Sequence, residues 1–138
     1  MQFIYILTPF IAWVVAGGLK FLINTVKAKE LAWKQMGYGG LPSTHTTIVT
    51  AGAAMVALRE GVESSAFLVA LTLAFIVVID AMDLRRKIGK QAAAINKLAE
   101  KTDLPELREK MGHSPVEIGA GVVTGTLCAF AIDLVTKL

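Results

Sequence analysis

The sequence predicts an all-α fold: an integral membrane helical bundle of about four membrane helices plus an amphipathic surface helix, formed as one membrane domain over residues 1–138. Three observations predict it. Apolar residues make up 54% of the chain and charged residues 18%, above and below the ~45–50% and ~25% of an average globular domain, and mean hydropathy is +0.59. Four apolar runs punctuate the chain, and lysine and arginine gather in two of the intervals between them.

The first run, Phe3 to Val26, is interrupted by Lys20 and Asn24 and predicts a span over about 3–26. It lacks a basic n-region and a small-x-small cleavage site, so a retained helix is expected rather than a cleaved signal. The second run, Thr46 to Leu58, predicts a helix over 44–60 with Ser43 or Thr44 as its N-cap. The third, Ala66 to Ile79, predicts a span over about 64–82. The fourth, Ile118 to Ile132, predicts a span over 115–136 that opens on Ser114 as N-cap, Pro115 as first helical residue and Glu117 as the N3 partner of a capping box.

The uncharged cores fall short of the ~20 residues that cross a bilayer. Flanking residues extend them, and the two middle helices fit a shorter hairpin set among neighbours. No apolar run is polar along one helical face, as a surface helix of a soluble bundle would be. Gly121 and Gly125, four apart in the last run, suit close helix packing or a dimer seam. Between the third and fourth runs, 85–112 reads as the surface segment: Ile88, Ala92, Ile95 and Leu98 or Ala99 recur at helical spacing. A break is expected near Asp103 to Pro105, because proline disfavours helix in the residue before it.

Charge placement sets an expected orientation. Lys27 to Lys34 carries three basic residues and Arg85 to Lys110 eight, against Arg59 in the short turn and Lys137 at the end. With four crossings the positive-inside rule places both basic segments in the cytoplasm and both termini outside, in a multi-pass protein of the cell (inner) membrane. The net charge of +3 is too small to argue for nucleic acid, and no aromatic-plus-basic pattern accompanies it. Cys128, the single cysteine, excludes a disulfide framework and a CxxC metal site and reads as a small packed residue.

Both histidines mark helix starts. His45 falls in the first turn of the second helix and His113 immediately before the fourth. These helices run the same way, so their free N–H groups face the basic side and offer an anion site. Lys20, Arg85 and Arg86 can reach the same level, and an ionisable residue at membrane depth such as Lys20 is a functional candidate. Each residue also has a structural reading: capping for the histidines and Glu117, snorkelling for Lys20, topology for the arginines. Their joint placement on one side favours a site.

Three ordered motifs covering most of the chain carry a resemblance. "GGLPSTH" is similar to GGMPSSH, "DAMDLRRKIGKQA" resembles DAxGVRRxAGxQA, and "GHSPVEIGAGVVTG" looks like GHxPxEVxxGxxxG. These belong to the divergent branch of the type-2 phosphatidic acid phosphatase-like membrane proteins, related to acid phosphatases and vanadium-dependent haloperoxidases. Lys20 also fits the lysine that members carry before the paired glycines.

The resemblance implies a membrane phosphatase that hydrolyses a lipid phosphate or diphosphate, of phosphatidate or isoprenoid type, through a phosphohistidine and with no metal or cofactor. It implies His113 as nucleophile, Glu117 as the carboxylate that orients it, and His45 as the acid that protonates the leaving oxygen. Lys20, Arg85, Arg86, Ser43 and Thr44, with the helix N-termini, would bind phosphate. The chain departs from the broader superfamily at three points. Leu107 stands where an arginine precedes the nucleophile by six residues, with Arg108 one position later; Glu117 replaces an aspartate; and four spans stand where larger relatives have six, which suggests a homodimer. Within the divergent pattern, Asp83 replaces a glycine and could pair with an arginine.

Two other classes compete. One is a non-catalytic protein binding anionic lipid headgroups with the same cations. The other is a Mg-dependent phosphotransferase using Asp80 and Asp83, whose i,i+3 spacing suits a shared cation.

Overall fold

The computed structural model describes residues 3–28 and 40–137. Gly39 and the greater part of the first basic segment, from Lys29 to Lys34, lie outside the described residues. Among those described, the protein is an all-α membrane bundle: α1 (Phe3–Ala28), α2 (Thr44–Glu60), α3 (Ser65–Ile79), a π-helical turn (Asp80–Leu84), α4 (Arg85–Ala99) and α5 (Pro115–Val135).

Helix α2 is the inner helix. It packs most extensively on α5 and then equally on α1 and α3. Its 17 residues make it about 25 Å long, whereas, among the described residues, Phe3–Lys27, Ser65–Ala99 and Pro115–Val135 are long and apolar enough to cross a membrane. The weaker hydropathy of α2 follows from its place. Protein rather than lipid surrounds it, so Thr46 and Thr47 are tolerated at full burial, with the Thr47 hydroxyl donating to the Ser43 carbonyl at 2.9 Å.

The α2–α5 seam depends on the two glycines at four-residue spacing. A Cβ at Gly121 would come within 2.8 Å of Thr46 Cβ and 2.9 Å of the Ser43 carbonyl oxygen, and one at Gly125 within 2.5 Å of the Thr47 carbonyl oxygen. The small-residue spacing therefore serves close packing within the chain. Because the contacts advance together along both helices, α2 and α5 are parallel and start at the same end.

Helix α1 turns a stripe of Thr8, Ala12 and Ala16, each fully buried, toward its neighbours, and Lys20 closes the stripe at 6% exposure. The far end is held by polar contacts. Asp133 on α5 pairs with Arg59 at 2.5 Å and Lys137 at 2.7 Å, Arg59 donates to Thr136 Oγ1, and Tyr5 donates to Glu60 at 3.0 Å. The rest of the surface is greasy, with Leu68, Val69, Leu73 and Phe75 of α3 all more than half exposed, as lipid-facing residues are.

Helices α3 and α4 are one uninterrupted helix from Ser65 to Ala99, rather than a span followed by a separate surface helix. No proline lies between Ile79 and Ala99, so nothing breaks the ladder, and the π turn absorbs an extra residue by bonding the Arg85 N–H to the Asp80 carbonyl. The helix stops at Ala99, earlier than the break expected near Asp103, and the chain returns along α4 without regular structure. Asn96 clamps this return by bonding both the N–H and the carbonyl of Leu107 at 2.8 Å.

Candidate active site at the paired helix starts

Three local devices build the site. Ser43 caps α2, its hydroxyl accepting the Thr46 N–H and the Thr46 hydroxyl. Ser114 caps α5 through a complete capping box: its hydroxyl accepts the Glu117 N–H at 3.3 Å, and Glu117 Oε2 accepts the Ser114 N–H at 2.7 Å. The Ser43 N–H then donates to the Glu117 carbonyl at 2.9 Å, tying one helix start to the other. Two positive dipole ends thus lie side by side, an arrangement that an anion relieves.

The third device holds His113. Its backbone N–H donates to the Ala81 carbonyl in the π turn at 3.0 Å. The preceding Gly112 has φ +86°, and a Cβ there would come within 2.5 Å of Arg86 Cγ. Only glycine combines that backbone conformation with that approach. One turn further along α4, a Cβ on Gly89 would run into the Glu109 carbonyl. The glycines of the second and third motifs are therefore where α4 and the returning segment touch.

These devices bring most of the expected residues together. His45 feels the charges of Arg85, His113, Lys20 and Asp80; His113 feels those of Glu117, Lys20 and Arg85. His113 is 9% exposed, and its Nδ1 stands 3.4 Å from Glu117 Oε2, beyond the usual hydrogen-bond range of ~2.7–3.2 Å. That nitrogen has no hydrogen-bond partner among the described residues. Burial pushes the His113 imidazole below its ordinary pKa; Glu117 opposes this, while Lys20 and Arg85 reinforce it. The ring is consequently neutral near pH 7.

Lys20 is buried at the end of its stripe, within reach of the Glu117 and Arg108 charges. Among the described residues it makes no hydrogen bond or ion pair. A snorkelling lysine would run out to the surface, whereas this side chain is 6% exposed. Thr44, half-buried, shares a cavity with it.

The two adjacent arginines part company. Arg85 acts on both imidazoles while its Nε donates to Asp80 at 2.7 Å; Arg86 lies with its Cγ against Gly112. Ser43 is fully buried and its hydroxyl caps α2, so it sets the helix start instead of presenting an open binding group. Asp83 pairs with Lys87 at 2.7 Å rather than with an arginine. Since Asp80 is held by Arg85, both carboxylates of the magnesium alternative are taken up by cations.

Sequence reasoning passed over Arg108 as out of register, yet its charge reaches Lys20. The usable signal was its position five residues before His113, in a segment that the paired glycines force against the site.

Fold and site together define a class: a membrane helical bundle with a cluster of imidazoles and cations, Lys20 buried among them, at the shared start of two parallel helices. The chain belongs to the divergent PAP2 family, whose model matches residues 2–128. It is 34% identical over 145 residues, covering 92% of each chain, to the uncharacterized membrane protein YuiD of Bacillus subtilis (strain 168). No solved structure matches it.

Proposed function

We propose that this protein is a membrane phosphatase that hydrolyses a lipid phosphate or diphosphate through a phosphohistidine. The observation that carries the reading is the convergence of His45, His113, Arg85 and the unpaired, buried Lys20 at two parallel helix N-termini. Family membership is consistent with it.

In the first half-reaction the lone pair of His113 Nε2 attacks phosphorus. The bond to the lipid oxygen breaks, and His45, which takes up a proton together with the phosphate anion that binds beside it, supplies that oxygen with the proton. Glu117, facing Nδ1 at 3.4 Å, orients the ring and balances the charge it gains. Lys20, Arg85 and the first-turn amides of α2 hold the equatorial oxygens, where negative charge concentrates in the transition state. In the second half-reaction His45 takes a proton from water as that water attacks phosphorus; the P–N bond breaks, phosphate leaves, and both imidazoles return to their starting states.

The site would lie at headgroup depth on the cytoplasmic side of the cell membrane, where the basic segments are expected. A headgroup-binding protein without turnover would use the same cations. Phosphate release from phosphatidate and isoprenyl phosphates in detergent tests the reading, with orthovanadate as inhibitor, EDTA as a metal control and His45→Ala and His113→Ala as variants. Turnover lost in both variants and retained in EDTA is expected. Wild-type protein that binds these lipids but releases no phosphate would favour the headgroup-binding alternative.

A further inference from the structure

Among the described residues, nothing packs on two glycines of α1. Glycine is a poor choice inside a helix, and membrane helices usually accept it where a neighbour must approach, as at Gly121 and Gly125. At Gly17 and Gly18 a Cβ would meet nothing within 4 Å. The space they leave is a groove of about 410 Å³ whose lining includes Trp13, Val14, Gly17, Gly18, Lys20 and Thr44, within the ~300–1,000 Å³ of small-ligand sites.

Its two ends differ in chemistry. Trp13 and Val14 are 58% and 63% exposed, so one end is apolar and opens on the hydrocarbon of the bilayer. The other reaches Lys20, which is 6% exposed and has no hydrogen bond or ion pair among the described residues, and Thr44 in the first turn of α2. A lysine buried this far, with only the Glu117 carboxylate acting against its charge at a distance, favours a further anion beside it, and an anion with a hydrocarbon tail would satisfy both ends. The larger groove between α1 and α5, about 630 Å³, has no charged residue among the described residues of its lining.

We propose that the Gly17–Gly18 groove binds the hydrocarbon chain next to the phosphate of the substrate, with Trp13 and Val14 as its walls and Lys20 holding the phosphate. Gly17 and Gly18 are then specificity-determining residues: their missing side chains are the room the chain occupies. This rests on the phosphatase reading and adds to it where the tail lies. Because the groove opens sideways, a lipid enters from the membrane without passing through water.

The test uses the full chain in detergent with a long isoprenyl monophosphate and with phenyl phosphate, which has no tail. Gly18→Leu is expected to lower the ratio of kcat/KM for the isoprenyl substrate to that for phenyl phosphate by about tenfold or more, mainly through KM. Gly17→Ala and Gly18→Ala should show smaller shifts of the same sign while melting no earlier than wild type. An unchanged ratio, or an equal loss on both substrates, overturns the proposal.

A second arm is independent of turnover. An alkyl phosphate carrying a diazirine in its chain is photolysed with the His113→Ala protein and the adducts are mapped. Adducts on the peptide from Trp13 to Gly18, competed away by isoprenyl phosphate, are expected; adducts confined to the α1–α5 groove would overturn the assignment. If wild-type protein hydrolyses neither substrate, the phosphatase reading fails and the adduct map alone decides the groove.

Discussion

His113 Nδ1 faces Glu117 Oε2 at 3.4 Å, and the same carboxylate oxygen accepts the Ser114 N–H at 2.7 Å. One side chain therefore caps a helix and addresses an imidazole. Glu117→Gln separates the two roles, because glutamine also completes a capping box but carries no charge. Turnover of a lipid phosphate should fall about 10²-fold while the melting temperature in detergent changes little. Glu117→Ala should lower both.

The neutral state of His113 makes a pH prediction. Its pKa in the folded protein lies below the ordinary value because of burial, so below about pH 6.5 the unfolded chain takes up a proton that the folded protein does not. The stability this contributes is present above that pH and is lost as pH falls toward the folded value. Thermal unfolding scanned between pH 8 and pH 5 should show a drop at the acid end that is smaller in His113→Gln.

Arg85 and Arg86 are adjacent in sequence and unequal in place. Arg85→Gln, which removes a charge acting on both imidazoles, should reduce phosphate release about 10²-fold or more, the scale of losing one preorganised charge-stabilising group. Arg86→Gln should cost less, and the two variants assayed side by side give the ranking. Equal losses would refute it.

The α2–α5 seam has no room to spare. Gly121→Leu drives a side chain into Thr46 and the Ser43 carbonyl and should destabilise the bundle by about 1–3 kcal/mol, seen as earlier melting or loss of a monodisperse peak in detergent. Gly119 has open space around its Cβ position, and Gly119→Leu should be tolerated. The same two residues on the same helix thus provide their own control.

At the far end of the bundle, Asp133→Asn removes the carboxylate that gathers Arg59 and Lys137. It should lower the melting temperature while changing KM for a lipid phosphate little, since this cluster sits at the opposite end of α2 and α5 from the histidines. A KM shift comparable to that of Arg85→Gln would contradict the placement of the site.

Much of this architecture was legible because its signals are local. The Ser114-Pro115-Glu117 box and the Ser43 cap each act within one turn, and α5 and α2 start where they place them. What was not legible depends on how the elements bend and pack: the π turn that sets Arg85 against Asp80 five residues back, and the packing of α5 on the start of α2 that buries Ser43 completely. The continuity of α3 into α4 was missed because basic residues after an apolar run read as the end of a helix, whereas charge alone does not break a hydrogen-bond ladder and no proline interrupts this one. Arg108 was missed because register was counted along the chain, and the chain folds back.

The two backbone bonds from Ser43 to Glu117 and from His113 to Ala81 each join one sequence motif to another, across intervals of 74 and 32 positions. No fragment of the polypeptide, however faithfully it keeps its own signature, can then assemble the cluster. A half-inserted or misrouted chain cannot bring the three motifs to one place, and under the proposed function it would release no phosphate.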